Sequence, residues 1–277
     1  MERKLYQEIL HNAKIKTYPD GSASLLVLDR PVIRESGWEA DKPTNGGSRW
    51  EDLSEDERAA LNLSRSQRRA RSAVFDLALS TPFTHFITLT LDQRRVDRYD
   101  PVEVLRHLRY WLDNAVRRRG LVYVLVPELH KDGALHFHGL INEALPLVDS
   151  GTIIPPGGGK PRRPRSEAQG ESWLTAGGSR VYNIPGWSLG FSTAIQLHGD
   201  RRQAVGYVCK YITKTEAKIG GRWYYSGGDL RRPDGFTADL DFAKAVTDRD
   251  AFDIPELGCK GVKIWTDELG KTLEDLG

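Results

Sequence analysis

The chain has 277 residues, of which 39% are hydrophobic and 28% are charged, and its formal net charge at pH 7 is only +2. A chain of this length can bury a sizeable core, either as one large domain or as a core domain with extensions. The two cysteines, Cys209 and Cys259, form no CxxC pair, which argues against a disulfide framework and against a cysteine zinc site. The apolar runs are too short to span a membrane, and the first residues are too polar for a secretory signal. We therefore expect a cytoplasmic protein with no membrane partner.

Positive charge is concentrated in clusters although the overall charge is nearly balanced. The clusters lie at residues 65–71, 117–119 and 160–165. Such clusters can follow a row of phosphates, although an ordinary solvated surface explains any single one of them equally well.

The first 80 residues are predicted to form an N-terminal extension that ends in a basic helix. The stretch "SASLLVLDRPVI" has the composition of a strand, and "DKPTNGGS" has that of a loop. Residues 54–79 have the composition of a helix that is rich in arginine, and Ser54 followed by Glu55 and Asp56 suits a helix start.

From residue 81 onward the local signals become sharper. "THFITLTLD" alternates like a strand, with Phe86, Thr88 and Thr90 on one side and aliphatic residues on the other. Asp100 predicts the start of a helix, and Gly120 predicts its end. The stretches "LVYVLVPELH" and "LHFHGLI", joined by "KDGA", predict a β-hairpin.

The remaining elements complete an α+β pattern. Residues 149–185 contain "PPGGGKPRRPRSEAQGES" and are predicted to form a long, mobile, basic loop. "GFSTAIQL" predicts another strand, and residues 202–217 predict another helix. This order favours an α+β fold in which helices flank a central antiparallel sheet. We place the core at residues 81–217 and a C-terminal extension at residues 218–277.

The stretch "ELHKDGALHFHGLI" places a candidate metal site on the hairpin. Side chains alternate along a strand, so His136 and His138 lie on one face and Phe137 lies on the other. If the hairpin is in register, Glu128 on the preceding strand comes near both histidines. Two imidazoles and one carboxylate can bind a divalent metal and leave coordination positions open. A lone HxH pattern also occurs on wet sheet faces, so this motif does not decide the matter alone.

A second candidate motif lies in the helix over residues 202–217. "YVCKYITK" carries Tyr207 and Tyr211 four residues apart, on one helix face, and Lys210 and Lys214 each follow a tyrosine by three residues. A tyrosine hydroxyl has a reference pKa of about 10 and is a poor nucleophile at pH 7, but a metal and a nearby ammonium group could assist its attack on a phosphate. The same pattern also fits a helix that packs two tyrosines on the sheet while its lysines extend to solvent.

Together these stretches resemble the HUH endonucleases and, among them, the rolling-circle replication initiators of plasmids and phages. "FITLTLD" resembles the first motif of that family. "HFHGL", with Glu128 eight residues before His136, resembles the metal-binding second motif, and "YVCKYITK" resembles the third, tyrosine-bearing motif. The histidines precede the tyrosines, as in the initiators, whereas relaxases have the catalytic tyrosine first. The resemblance covers roughly residues 82–216.

This resemblance implies a fold, a metal and a reaction. The sheet would be of the RNA-recognition-motif (ferredoxin-like) type, with the histidine strand at its centre. His136, His138 and Glu128 would bind Mg²⁺ or Mn²⁺, and a tyrosine would attack single-stranded or hairpin origin DNA. The products would be a 5′-phosphotyrosine link and a free 3′-hydroxyl that primes replication, and a later transfer would rejoin the displaced strand. Host helicase and polymerase in a bacterial cell would supply unwinding and synthesis.

The resemblance leaves the order of the tyrosines and some alternatives open. Both tyrosines satisfy the YxxK pattern of the family; Tyr207 is favoured for the first attack because Lys210 then falls in the usual register, and Tyr211 for the second transfer. The basic helix around residues 65–71 could contact duplex or hairpin DNA. The alternative functions are a transposase or relaxase of the same chemistry, and a non-cleaving nucleic-acid-binding module whose sheet stacks bases on aromatic residues such as Phe86.

Overall fold

The computed structural model describes residues 9–34, 54–198, 201–214, 217–246, 251–254 and 257–277, and of residues 201–204, 207 and 213 it describes the backbone alone. Contacts divide the chain into two units, which are Leu63–Arg232 and the combination of Met1–Asn62 with Pro233–Gly277. No helix in the described residues is long and apolar enough to cross a membrane. The elements follow in the order β1 (Leu10–His11), β2 (Ala13–Thr17), β3 (Ala23–Leu28), β4 (Ile33–Arg34), α1 (Glu55–Ser80), β5 (His85–Leu91), α2 (Pro101–Arg119), β6 (Tyr123–Leu129), β7 (Leu135–Ile141), β8 (Val148–Ile154), α3 (Glu167–Thr175), β9 (Ser179–Asn183), β10 (Gly190–Gln196), α4 (Arg201–Lys214), β11 (Tyr225–Gly227), β12 (Asp234–Ala238), α5 (Phe242–Val246), β13 (Phe252–Ile254), β14 (Cys259–Thr266) and α6 (Leu269–Leu276).

The larger unit is built on a seven-stranded sheet with the strand order β11-β6-β7-β5-β10-β9-β8. All the strand pairs in this sheet are antiparallel. The predicted α+β fold with a central antiparallel sheet flanked by helices is confirmed. The histidine-bearing strand β7 lies between β6 and β5, so it is an inner strand of the sheet.

Side-chain alternation decides which face of this sheet holds the core. Ile87 and Leu89 of β5 are fully buried and share one hydrophobic core with Leu108 of α2 and Phe137 of β7. The intervening side chains of β5, such as Thr88, are only half-buried and point to the opposite face. Because Phe137 belongs to the core, the histidines on either side of it point away from the core.

Local sequence signals form the elements around this sheet. The side chain of Asp100 accepts a hydrogen bond from the backbone N–H of Val102 at 2.8 Å, which caps α2. Gly120 ends that helix with φ 69°, a left-handed conformation that favours glycine. In the turn between β6 and β7, Gly133 has φ 86° and donates its N–H to the carbonyl of His130 at 2.8 Å. The hairpin therefore forms at the predicted turn.

The prediction of one long loop over residues 149–185 is wrong. This segment contains β8, α3 and β9, and β8 is the edge strand of the sheet. After a turn in which residues 157–159 all have positive φ, the backbones of Ile153 and Arg162 exchange two hydrogen bonds of 2.9 Å. Ser166 then caps α3. The glycines and prolines that suggested a single loop mark the turns between short elements.

The smaller unit joins the two ends of the sequence in one sheet. Its strand order is β12-β2-β3-β14-β13, so strands that precede the larger unit in the sequence pair with strands that follow it. One face packs on α5 and α6 around buried residues such as Ile15 and Leu25. Residues 218–232, which the sequence suggested were part of a C-terminal extension, belong to the larger unit because β11 pairs with β6 there.

Candidate functional site

The hairpin of β6 and β7 brings a carboxylate and two imidazoles to one place. Glu128 lies directly opposite His136 in the strand register, and His138 lies opposite Val126. His138 is therefore the diagonal neighbour of Glu128, and its Nε2 is 2.8 Å from Glu128 Oε2. This is the register that the predicted cluster requires.

His138 is held by its neighbours on several sides. Its Nδ1 lies 3.0 Å from Oγ1 of Thr88, which is directly opposite it on β5. The Tyr211 ring stacks on the imidazole with 3.8 Å between centroids and 11° between planes, and the Phe86 ring lies nearly parallel at 6.2 Å. The His138 side chain is consequently only 10% exposed. Because a hydroxyl can both donate and accept, Thr88 can hold the imidazole in either tautomer.

Burial keeps both imidazoles of the HxH motif neutral near pH 7. It lowers the pKa of His138 to about 4, against the opposing effect of the Glu128 carboxylate. Burial also lowers the pKa of His136, and the neighbouring His130 acts in the same direction. A neutral imidazole has the lone pair that a metal ion needs, so both histidines are in the protonation state of metal ligands.

The donor atoms of Glu128 and His138 fit a divalent ion, and His136 is the member that departs from a finished site. Adjacent ligands of an octahedral Mg²⁺ ion, each about 2.1 Å from it, lie about 3.0 Å apart. The observed separation of 2.8 Å between His138 Nε2 and Glu128 Oε2 is close to that value. The His136 ring instead stacks with the exposed ring of His130, with 5.2 Å between centroids. Within the described residues, no group of three His, Cys, Asp or Glu side chains is arranged to hold a metal.

The tyrosine helix α4 packs on β6 and β7, and its last turn reaches the hairpin. The Nζ of Lys214 donates to Glu128 Oε1 at 3.1 Å and lies 4.8 Å from the centroid of the Tyr211 ring. Tyr211 is only 5% exposed because its ring lies on His138. The carboxylate of Glu128 therefore contacts an imidazole through one oxygen and an ammonium group through the other.

The predicted site residues are brought together to different extents. His136 lies in register beside the cluster without a described contact to its other members. Lys210 is exposed on α4. Tyr207 lies in α4 one turn before Tyr211, and its side chain is outside the described residues, so its role stays a prediction. The residues joined by direct contacts are Glu128, His138, Tyr211 and Lys214.

The basic half of α1 supports the tyrosine helix. Gln67 donates a side-chain hydrogen bond to the carbonyl of Ile212 at 2.8 Å. The thiol of Cys209 lies 3.7 Å from the carbonyl oxygen of Arg71. The arginine-rich part of α1 thus has a packing role against α4, while the side chain of Arg71 remains exposed.

The segment from β5 to α4 also matches a known family. Residues 84–216 match the family model of the replication-associated proteins of the ORF2 type. The matched segment is a little under half of the chain and contains all the predicted site residues. It supports a replication initiator. The chain has no significant match among curated proteins or among solved structures.

Two residues near the site had no assigned role in the sequence analysis. Thr88 was placed on the correct face, but its contact with His138 depends on the register between β5 and β7, which no motif encodes. Phe191 of β10 lies on the same face and is 67% exposed. Its sequence signal is the alternation of "GFSTAIQL", which becomes informative only once β10 is known to lie beside β5.

Proposed function

We propose that this replication initiator is an HUH-type endonuclease that nicks single-stranded origin DNA by tyrosine attack and later rejoins the strand in rolling-circle replication. One observation carries the proposal, namely that the tyrosine helix lies on the histidine hairpin. Tyr211 stacks on His138, and Lys214 binds Glu128. A sheet that only binds nucleic acid does not need this combination of a carboxylate, an imidazole, an ammonium group and a phenol. The family match over the same segment supports a role in replication.

The proposed metal ligands are Glu128, His136 and His138, and the proposed ion is Mg²⁺ or Mn²⁺. The chemistry that such an ion supplies is polarisation of a phosphodiester oxygen. Thr88 would accept the Nδ1–H of His138 in this state, as the outer partner of a ligating histidine commonly does. Lys214 stays close enough to balance negative charge that develops on the phosphate.

In the proposed reaction Tyr207 makes the first attack and Tyr211 serves the second transfer. The tyrosine oxygen bonds to phosphorus as the bond from phosphorus to the 3′ oxygen breaks. The proton of the phenol ends on the released 3′ oxygen, so the exchange needs no further reactant. Attack of a 3′-hydroxyl on the phosphotyrosine reverses the exchange and joins the strand. The burial of Tyr211 against His138 supports giving the first attack to Tyr207.

The proposed substrate is single-stranded or hairpin origin DNA in the cytoplasm of a bacterial host, where a helicase and a polymerase supply unwinding and synthesis. Exposed positive charge in the larger unit supports a polyanionic partner. Residues 155–166 carry four cationic side chains and no acidic one. The cationic side chains exposed in this segment are Lys160, Arg162, Arg163 and Arg165.

Trapping a covalent adduct tests the proposed chemistry. The full chain is incubated with Mn²⁺ and a single-stranded DNA library, and the products are resolved on a denaturing gel and identified by mass spectrometry. We expect an adduct with the wild type and none with His138→Ala or with the double variant Tyr207→Phe/Tyr211→Phe. Tyr207→Phe alone should abolish the first cleavage, whereas Tyr211→Phe should cleave normally and rejoin strands poorly.

An exposed tyrosine of α2 provides the matched control. Tyr110→Phe removes a hydroxyl from a residue outside the site and should leave the adduct yield unchanged. A wild-type yield of adduct from the double tyrosine variant would contradict attack by these residues. An adduct that survives Tyr207→Phe but not Tyr211→Phe would reverse their proposed order.

A non-cleaving nucleic-acid binder is the second candidate function. It is favoured by the arrangement of His136, which in the described residues does not complete a three-ligand group. This alternative predicts tight binding of single-stranded DNA and no adduct at any concentration of Mn²⁺. The trapping experiment therefore separates the two functions.

A further inference from the structure

The face of the sheet that carries His136 continues past the candidate site onto β10. Phe191 lies directly opposite Thr90 of β5, and Thr90 lies directly opposite His136 of β7. Directly opposed side chains point to the same face, so these residues form one row across neighbouring strands. Because neighbouring strands are about 4.8 Å apart, Phe191 stands about 10 Å from His136.

Phe191 is exposed, whereas the nearby residues Ser192 and Ala194 of β10 are buried. The exposed fraction of Phe191 is 67%. A single exposed apolar side chain is common on protein surfaces and needs no ligand to explain it. What distinguishes Phe191 is its place in the same row as a candidate metal ligand.

The backbone around Phe191 fixes the position of its ring. A Cβ at Gly190 would overlap the carbonyl oxygen of Thr90, so glycine allows β10 to begin tightly against the end of β5. The side chain of Arg95, in the turn after β5, donates to the carbonyl of Ser188 at 2.6 Å. The start of β10 is thus held by strand pairing and by this side-chain contact, which suits a surface that must orient a ligand.

Positive charge accompanies the aromatic ring. Arg94 and Arg95 are exposed in the turn after β5, beside the start of β10. Both guanidinium groups contact the single carboxylate of Asp92, at 3.0 and 3.9 Å, so these three side chains together keep a net positive charge. An aromatic ring beside positive charge is the combination with which proteins hold a single strand, since the ring stacks on a base and the cations attract phosphates.

We propose that Phe191 is a stacking platform for a base that flanks the scissile phosphate of single-stranded DNA. The inference rests on the proposed function in taking single-stranded DNA as the ligand, but the stacking itself requires neither a metal nor cleavage. A ring that contacts the face of a base does not read its edges, so Phe191 positions the strand over His136 without selecting a sequence. Phe86, which the sequence suggested for stacking, is half-buried and lies parallel to His138 instead.

Equilibrium binding in EDTA tests this platform without any cleavage. The probes are a fluorescein-labelled oligo(dT) of about 15 nucleotides and an abasic strand of the same length, and the readout is fluorescence anisotropy. Loss of one aromatic stack should weaken binding of oligo(dT) by Phe191→Ala about 5- to 150-fold. Phe191→Trp should bind oligo(dT) like the wild type. On the abasic strand all of these proteins should bind alike, because no base is present to stack.

The matched control is Tyr110→Ala, which removes an equally exposed aromatic ring from α2, on the opposite side of the sheet. It should not change either affinity. The platform is ruled out if Phe191→Ala binds oligo(dT) within about twofold of the wild type, if it loses affinity equally for the abasic strand, or if the wild type does not distinguish the two probes.

Failure of this inference is distinguishable from failure of the proposed function. A covalent adduct in the trapping experiment, together with unchanged binding by Phe191→Ala, would reject the platform and leave the nicking reaction standing. The expected loss of binding by Phe191→Ala, together with no adduct, would reject nicking and leave Phe191 as part of a single-strand-binding surface.

Discussion

The buried histidine of the candidate site should make the larger unit sensitive to mild acid. Burial lowers the pKa of His138 to about 4 in the folded protein, whereas the reference value for an unfolded chain is about 6.5. Between these values the unfolded state takes up a proton that the folded state does not. The associated stability is therefore fully present above pH 6.5 and is lost progressively as the pH falls towards 4.

The size of this effect follows from the two pKa values. One pKa unit corresponds to about 1.36 kcal/mol, so the full difference is worth about 3.4 kcal/mol. At pH 5 the unfolded imidazole is almost entirely protonated and the folded one is mostly neutral, which gives a loss of about 2 kcal/mol. Since the His138 side chain is only 10% exposed, solvent screening reduces this value little.

Urea unfolding at pH 7 and pH 5 in EDTA measures the effect, with tryptophan fluorescence and circular dichroism as the two probes. The wild type should lose about 2 kcal/mol more stability between these pH values than His138→Gln. His107→Gln alters a partly exposed histidine of α2 and should follow the wild type. Parallel pH dependences of the wild type and His138→Gln would refute the reasoning that burial suppresses protonation.

The contacts of Glu128 and His138 give two further predictions. Lys214→Met removes the ammonium that shares the Glu128 carboxylate; it should raise the affinity for Mn²⁺ a few-fold, because a partly exposed ion pair is worth about 1 kcal/mol or less, and it should slow adduct formation. Titration calorimetry and the adduct time course measure the two effects, and an unchanged affinity would count against a competing ammonium. Thr88→Val removes the hydroxyl at His138 Nδ1 and should weaken Mn²⁺ binding about 10- to 100-fold in the same calorimetric assay. Thr90→Val, on the same face of β5, is the matched control, and equal affinities of the two variants would exclude a supporting role for Thr88.

The elements around the site could be predicted because their signals are local. The cap at Asp100, the end of α2 at Gly120 and the turn at Gly133 each depend on a few consecutive residues. The alternation of β5 likewise depends on the pleat of one strand, and it correctly separated the core face from the site face. The register of the hairpin followed from its turn and placed Glu128 opposite His136.

The contacts that join the motifs could not be predicted in this way. The approach of Tyr211 to His138 depends on how α4 packs on β6 and β7, and the sequence supplied only a family resemblance for that. Residues 149–185 were misjudged because their short strands bury few side chains, such as Ile153 and Val181, and so have little hydrophobic periodicity. Strand pairing between opposite ends of the sequence, as in β2 and β12, leaves no local signal at all.

That pairing between the ends has a consequence for the order of events during synthesis. Strands β2 and β3 leave the ribosome first, yet their sheet is complete only when β12, β13 and β14 have been made. The larger unit is continuous in sequence from Leu63 to Arg232, so it can fold while the rest of the chain is still being translated. The candidate site can therefore be assembled in a nascent chain whose other unit still waits for its last strands.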